Sequence, residues 1–160
     1  MASYAPLLEN QHDRRWATNL IWLNSDQVVG RSSYYVQKMF AENRPTYNVK
    51  VTHTAKDSLH HVIAGYDVQT KELVVKVVNG SDRPYDVTMA VEGAGRLSAA
   101  ATAITLKAGN LNDENSFDNP YRIYPQSMPV ELAWATDGAR KLCNYTFPKY
   151  SFTVVRLKAE

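Results

Sequence analysis

The stretch HVIAGYDVQTKELVVKVVN, residues 61–79, decides the fold class of this chain. Residues 61–67 alternate between apolar and polar side chains, and residues 72–79 form a denser apolar run. Alternation with a period of two is typical of a β-strand that is half buried. Gln69, Thr70 and Lys71 lie between the two runs, where a hairpin loop is expected. The stretch therefore predicts two neighbouring strands.

The same pattern continues on both sides of this hairpin. Further strands are predicted at residues 48–54, 85–91, 96–106 and 151–157, with turn signals at residues 79–82 and 93–95. Short strands spaced about 10 residues apart are typical of a β-sandwich or barrel. Residues 109–129 are polar and rich in Asn and Pro, and predict a long ordered loop.

The first 46 residues have a different character. Residues 1–8 predict a short buried strand that Pro6 helps to end, and residues 20–23 (LIWL) predict a strand or a buried extended segment. A helix is predicted in YYVQKMFAEN, residues 34–43, because Tyr35, Val36, Met39 and Phe40 share one face. Its expected N-cap is Ser32 or Ser33, and Pro45 biases the residue before it away from helical angles.

Such a segment cannot close a layer by itself, because it leaves strand edges and an apolar face without partners. We expect it to fold back on the sandwich, to pair with a second copy of the chain, or to fray.

Length and charge limit the class of protein. The 160 residues correspond to roughly one domain. Lys and Arg number 18 against 16 Asp and Glu, so the net charge of +2 gives no electrostatic case for nucleic acid or an anionic membrane as partner. No apolar run approaches the roughly 18 residues of a membrane span. Cys143 is the single cysteine, which excludes an internal disulfide and a cysteine zinc site.

Several long strings in the chain resemble one family. MASYAPLLEN, DRRW and LIWLNSDQVVGRSSYYVQKMFAENR resemble the end of the catalytic barrel of α-L-arabinofuranosidases of glycoside hydrolase family 51. DENSFDNPYRIYP and YTFPKYSFTVVRLK resemble the C-terminal domain of the same family. Residues 47–104 match only in strand pattern.

The resemblance implies a mainly β fold in two parts. Residues 1–46 would be the last strand, loop and helix of a catalytic (β/α)8 barrel, and residues 47–160 an antiparallel β-sandwich. The family's two catalytic carboxylates would lie upstream of Met1, so no catalytic residue is expected in this chain. We expect a piece of a longer enzyme that lacks activity alone, whose partners are its own missing barrel and, through it, arabinose-containing polysaccharide. The compartment is left open, because MASYAPLLEN lacks the pattern of a secretory signal and any such signal would lie upstream of Met1.

The parent would remove terminal non-reducing α-L-arabinofuranosyl residues with retention. Retaining glycosidases use two carboxyl groups about 5–5.5 Å apart. Asp113 and Glu114 are adjacent, so on an extended segment they would point to opposite sides. Glu9 and Asp13 match nothing catalytic in the family. We expect all four to be solvated loop charges.

The loop after the eighth barrel strand, residues 9–31, is the better functional candidate. Barrel active sites are built from loops at the carboxyl ends of the strands. Trp16 could offer an aromatic face to a sugar ring, and Asn19 could bond a hydroxyl, although relatives carry Asp or Gln at the latter position. The structural alternatives are rim packing for Trp16 and a turn for Asn19.

Other chemistry-bearing residues indicate structure. His53, His60 and His61 lack metal-ligand spacing, and we expect no metal and no cofactor. Cys143 is expected to be a small buried hydrophobe. Two motifs, Asn79-Gly80-Ser81 and Asn144-Tyr145-Thr146, fit the N-glycosylation acceptor pattern, a number that chance alone would give.

Residues 113–124 are expected to form a clamp between sandwich and barrel, because Asn and Asp side chains can hold a loop rigid. Two alternatives to the glycosidase fragment stay open. One is a carbohydrate-binding module that uses exposed aromatics, and the other is a domain that self-associates through its exposed N-terminal segment.

Overall fold

The computed structural model describes residues 4–16 and 18–160, which form twelve strands and one helix. The strands are β1 (Leu8–Asn10), β2 (Ile21–Leu23), β3 (Val28–Gly30), β4 (Tyr47–Val49), β5 (His60–Asp67), β6 (Glu72–Asn79), β7 (Tyr85–Glu92), β8 (Leu97–Lys107), β9 (Gln126–Glu131), β10 (Ala135–Asp137), β11 (Arg140–Phe147) and β12 (Ser151–Ala159). The helix α1 spans Ser32–Glu42. Among the described residues, no helix is long and apolar enough to cross a membrane.

A six-stranded antiparallel sheet forms the middle of the molecule, in the order β4-β5-β6-β12-β8-β9. β5 and β6 are joined by a tight turn in which Lys71 has a positive φ of 52°, so the predicted hairpin is confirmed. The last strand of the chain, β12, lies between β6 and β8. The C-terminal strand therefore completes the centre of the sheet.

One face of this central sheet is covered by a three-stranded sheet in the order β10-β11-β7. The core between the two sheets is made of alternate residues of β6, β12 and β11, among them Leu73, Val75, Val77, Val155, Leu157, Cys143 and Phe147. Phe147 and Val155 are fully buried, at 0% exposure. The predicted β-sandwich is confirmed.

The other face of the central sheet carries α1. Tyr35 and Met39 of the helix pack with Val74, Phe152 and Val154 of the sheet and with Ile123 from a loop. Residues 72–79 are dense in valine because β6 is buried on both faces, a position that favours continuous apolar runs. We call residues 4–46 the N-terminal segment. It folds back on the sandwich, the first of the three predicted outcomes.

The N-cap of the helix lies one residue before Ser32, the first of the two predicted candidates. Arg31 is the N-cap, with extended backbone angles and no side-chain capping bond, so neither Ser32 nor Ser33 fills that role. The Arg31 carbonyl accepts from the amides of Tyr34 and Tyr35 at 3.0 and 3.3 Å. Ser33 instead shares a 3.2 Å hydrogen bond with the Tyr4 hydroxyl. The helix ends at Glu42, and its C-cap is Asn43, whose side chain donates to the Met39 carbonyl at 2.9 Å.

The N-terminal segment also holds a small sheet in the order β1-β2-β3, with β1 parallel to β2 and β2 antiparallel to β3. The strand predicted at residues 1–8 is displaced: it begins at Leu8, and residues 4–7 are not in a strand. Residues 1–3 lie outside the described residues. The predicted strand at residues 20–23 is found as β2, whereas β3 was not predicted.

Two further boundaries differ from the sequence prediction, and two strands were not predicted. The strand expected at residues 48–54 is only the three-residue β4. The loop expected at residues 109–129 ends earlier, because residues from Gln126 onward form β9. β10 and β11 were also missed. β9 is an edge strand of the central sheet, where a proline such as Pro129 is tolerated because one side of the strand has no partner to receive an N–H.

Replacing Met39 with alanine should lower the free energy of unfolding by about 2–5 kcal/mol, the usual cost of removing a large buried side chain. Met39 is only 2% exposed and fills the layer between α1 and the central sheet. Lys38→Ala on the same helix is the matched control, since its exposed 3.6 Å ion pair with Glu42 contributes only about 0.3–0.5 kcal/mol. Urea unfolding measures both variants, and equal losses would contradict the described packing of α1.

Candidate functional site

A buried carboxylate organises the loop that joins β1 to β2. Glu9 lies in the middle of β1, opposite Trp22 of β2, and is 7% exposed. Its Oε1 accepts hydrogen bonds from the backbone amides of Arg15 and Trp16, both at 2.8 Å, and its Oε2 accepts one from Asn19 Nδ2 at 2.6 Å. One side chain therefore fixes the path of the loop over about ten residues.

These contacts also determine the charge state of Glu9. The hydrogen bond from Asn19 lowers the pKa of the Glu9 carboxyl below its ordinary value of 4.5, and the amides of Trp16 and Arg15 add to the effect. Burial acts in the opposite direction but is outweighed. The group is therefore an anion at neutral pH, held by donors that favour its charged form.

Trp16 is the accessible aromatic residue of this loop. Its side chain is 64% exposed, while its backbone is held at both polar atoms, by Glu9 on the amide and by Arg14 Nε on the carbonyl at 2.9 Å. Trp22 has no free ring face of this kind, because Phe117 stacks on it at 5.9 Å and the Arg31 guanidinium lies 4.5 Å from its ring centre. Trp16 thus combines an exposed ring with a fixed backbone, which suits stacking on a sugar.

The second predicted site residue, Asn19, has a different environment. It is 1% exposed, and its Nδ2 is occupied by Glu9. A direct bond to a sugar hydroxyl needs an accessible amide, whereas the structure gives Asn19 a buried contact that holds the loop. Its Oδ1 is buried and has no hydrogen-bond partner within the described part of the chain.

Arg31 connects the N-terminal segment to the loop at residues 108–125, which we call the clamp loop. Arg31 is 6% exposed, and its Nη2 lies 2.8 Å from Glu114 Oε2. Its Nη1 is buried and, like Asn19 Oδ1, lacks a partner among residues 4–16 and 18–160. Each buried polar group left without a partner costs about 1–3 kcal/mol.

A buried asparagine makes the second connection. Asn115, 1% exposed, donates from Nδ2 to the carbonyls of Gly30 and Ile123, both at 2.9 Å, and accepts from the Ile123 amide at 2.7 Å. The loop therefore joins the sandwich to the N-terminal segment, whereas the clamp between sandwich and barrel that the sequence led us to expect stays a prediction. Asn115 is the residue that sequence reasoning missed, although it lies within the quoted string DENSFDNPYRIYP.

The four candidate carboxylates divide into two kinds. Asp13 and Glu114 are exposed, with side-chain exposures of 74% and 55%, as predicted for solvated charges. Glu9 and Asp113 are not, and the prediction is wrong for them. Asp113 has a side-chain exposure of 8% because it accepts from the amides of Gly109 and Asn110 and pairs with Arg122, contacts that lower its pKa, the Asn110 amide most of all. Adjacent Asp113 and Glu114 have different partners and so do not converge.

The histidines and the cysteine have structural contacts. His60 Nδ1 lies 2.8 Å from Asp57 Oδ2 and its ring lies 4.1 Å from that of Tyr85, while His61 Nε2 is 3.1 Å from the Ser58 carbonyl. His53 is exposed. The described residues contain no group of three His, Cys, Asp or Glu that could hold a metal. Cys143 is 2% exposed, which confirms it as a buried hydrophobe, and burial raises its pKa.

Replacing Glu9 with glutamine should loosen the loop, because the amide cannot accept from all three donors as a carboxylate does. The hydrogen-exchange rates of the Arg15 and Trp16 backbone amides should rise in Glu9→Gln. The control is Asp13→Asn, which changes an exposed residue of the same loop and should leave these exchange rates unchanged.

The contribution of Glu9 to stability should depend on pH. Because the pKa of Glu9 is lowered in the folded state, the stability that Glu9 adds is fully present above about pH 4.5 and is lost as the pH falls through the folded-state value.

Urea unfolding of the wild type and Glu9→Gln between pH 7 and pH 3 tests this dependence. A stability difference that stays constant across that range would contradict the assigned charge state.

Comparison with known proteins agrees with the fold. The family described as alpha-L-arabinofuranosidase C-terminal domain matches residues 1–151. Alpha-L-arabinofuranosidase 2 of Arabidopsis thaliana is 31% identical over 162 residues, which cover 100% of this chain and 23% of that protein. Alpha-L-arabinofuranosidase 1 of the same plant is 33% identical over 141 residues, which cover 83% of this chain and 20% of that protein. The chain spans less than a quarter of the length of these curated relatives.

Solved structures share the architecture. An arabinose-bound α-L-arabinofuranosidase matches with a TM-score of 0.87 over 99% of this chain and 24% of that one, at 20% identity. The thermostable α-L-arabinofuranosidase from Thermotoga petrophila matches with a TM-score of 0.67 over 86% of this chain and 31% of that one, also at 20% identity. At this identity the likeness concerns the fold. The resemblance seen in the sequence is confirmed, and the chain belongs to the C-terminal domain family of the α-L-arabinofuranosidases.

Proposed function

We propose that this chain works as the C-terminal part of a retaining α-L-arabinofuranosidase, which removes terminal non-reducing α-L-arabinofuranosyl residues from arabinose-containing polysaccharides. The family match over residues 1–151 carries this proposal. In such an enzyme one carboxylic acid protonates the leaving oxygen and a second carboxylate forms the glycosyl intermediate, which water then hydrolyses. Both groups would be supplied by a preceding barrel.

Residues 1–46 would be the last unit of that barrel, and residues 47–160 the sandwich that braces it. The order β1, β2, β3, α1 in the N-terminal segment supports this division, since a barrel unit is a strand followed by a helix and the two short strands β2 and β3 lie within the connection between them. The surface of the segment supports it too. Leu7, Leu8 and Val28 are 54%, 55% and 72% exposed, a concentration of apolar side chains that a neighbouring barrel strand would cover.

Within that enzyme, Trp16 would stack on the sugar at the rim of the barrel. Asn19 would act through Glu9, by fixing the loop that carries Trp16. The sandwich would hold this loop in place through α1 and through the contacts of Arg31 and Asn115.

A chimaera tests the proposal directly. The aligned part of Arabidopsis alpha-L-arabinofuranosidase 2 is replaced by this chain, and hydrolysis of p-nitrophenyl α-L-arabinofuranoside is measured. We expect the chimaera to be active, and the isolated chain and the truncated relative to be inactive. A chimaera that elutes as a folded protein but is inactive would contradict the proposed role.

Trp16→Ala in the active chimaera should lower kcat/KM about 5- to 30-fold, as expected for the loss of about 1–2 kcal/mol of stacking. Tyr121→Ala is the matched control, because Tyr121 is an equally exposed aromatic residue, at 69%, in the clamp loop. If the two variants lower kcat/KM equally, the proposed contact of Trp16 with the substrate is wrong.

The exposed ring of Trp16 also supports a second candidate function, a carbohydrate-binding module. Binding of arabinan by the isolated chain, lost in Trp16→Ala, together with an inactive chimaera, would favour that function. Concentration-dependent dimers of the isolated chain, without arabinan binding, would instead favour self-association through the N-terminal segment.

A further inference from the structure

The two glycosylation acceptor motifs occupy very different places in the fold. The motif requires Asn-X-Ser/Thr, and both Asn79-Gly80-Ser81 and Asn144-Tyr145-Thr146 satisfy it. A glycan is bulky and hydrated, so a modified asparagine must face solvent in the folded protein. Burial and hydrogen bonding therefore distinguish a usable site from an unusable one.

Asn79 cannot carry a glycan in this fold. It is the last residue of β6, is 0% exposed, and uses the nitrogen that a sugar would occupy: Nδ2 donates to the carbonyls of Arg83 and Pro148 at 2.8 and 2.9 Å. Its Oδ1 accepts from the amide and the hydroxyl of Ser81 at 3.0 and 2.7 Å. A sugar on Nδ2 would replace one of its two N–H donors, so one of these two bonds would be lost, and the fully buried position leaves no room for the sugar.

Asn144 has the opposite environment. It lies in the middle of β11 on the outer face of the three-stranded sheet and is exposed. Its Oδ1 accepts from the Thr88 hydroxyl at 2.7 Å, and its Nδ2 has no hydrogen-bond partner in the described part of the chain. The neighbouring cross-strand pair is also polar, with the Thr146 hydroxyl donating to Asp86 at 2.5 Å. A sugar on Nδ2 would therefore break no described hydrogen bond and would stand among exposed polar side chains.

The position of this face matters as much as its polarity. The three-stranded sheet covers one side of the central sheet, and the helix of the N-terminal segment covers the other. A glycan on Asn144 would therefore project away from Trp16, Arg31 and the clamp loop. It would also stand next to β7, an edge strand with unpaired backbone groups, and would shield that edge from pairing with other chains.

We propose that Asn144 is an N-glycosylation site of this protein and that Asn79 is not. The donor is a lipid-linked oligosaccharyl pyrophosphate. Asn144 Nδ2 forms a bond to the anomeric carbon of the first sugar, the bond from that carbon to the pyrophosphate oxygen breaks, and the amide proton is balanced by protonation of the released lipid pyrophosphate. This site is independent of the arabinofuranosidase role, so either proposal can fail alone.

Secretion of the full 160-residue chain from yeast behind a cleavable leader tests the proposal. Intact mass before and after peptide-N-glycosidase treatment should show one glycan per chain, and peptide mapping should place it on Asn144. Asn144→Gln and Thr146→Ala should each abolish it, whereas Thr146→Ser, which keeps the motif, should retain it. Ser81→Ala, which removes the other motif, should leave the glycan unchanged.

Two results would overturn the proposal: a secreted, folded chain that carries no glycan, or a glycan found on Asn79. Asn144→Gln should keep the urea midpoint of the unglycosylated wild-type chain made in bacteria, because the side chain at this position is exposed. The enzymatically deglycosylated chain is not used as the reference, since the enzyme converts the glycan-bearing Asn144 to Asp. This comparison separates the loss of the acceptor from misfolding of the variant. If Asn144→Gln is not secreted, Thr146→Ala, which also removes the motif, is measured in its place.

Discussion

The burial of the central sheet on both faces is the constraint on which the rest of the structure depends. β6 and β12 lie at its centre, and their side chains alternate between the sandwich core and the layer under α1. Neither face can stay bare without exposing a continuous apolar surface. Two charged residues of these strands show how strict this is: the Lys76 ammonium lies 4.5 Å from the ring centre of Phe40 in α1, and Arg156 donates hydrogen bonds to Glu72 and Asn43. The sheet therefore needs the N-terminal helix as much as it needs the second sheet.

The geometry of the candidate loop follows from this attachment. Arg31 caps α1 through its carbonyl, pairs with Glu114 of the clamp loop, and stacks on Trp22 of β2. Asn115 joins the same clamp loop to β3. The small sheet that holds Glu9 is thus fixed to the helix and to the sandwich at separate points. A rigid scaffold of this kind is what a loop needs in order to present one exposed ring, Trp16, in a defined place.

The sequence predicted the elements whose pattern is local, and failed where partners are distant. The hairpin at residues 61–79, the final strand and the helix were all recognisable from periodicity, because burial repeats along each of them. β9 was missed because an edge strand can be polar and contain Pro129. The β10–β11 hairpin had a signal in Asp137-Gly138, where the glycine has a φ of 59°, but no alternation strong enough to support it. The buried state of Glu9 had no signal, since its donors lie six to ten residues away in a polar string.

The distribution of unsatisfied polar atoms separates the two parts of the molecule. In the sandwich, buried polar side chains such as Asn79 and Thr153 have partners within the described residues. The two buried side-chain atoms without partners in that part of the chain, Asn19 Oδ1 and Arg31 Nη1, both lie in the N-terminal segment. Native proteins satisfy nearly all such groups, so the polar contacts of the described residues are incomplete in the N-terminal segment and not in the sandwich. The exposed Leu7, Leu8 and Val28 call for apolar cover over the same segment. A neighbouring barrel strand would supply this apolar cover, whereas a free-standing binding module would leave the three side chains exposed.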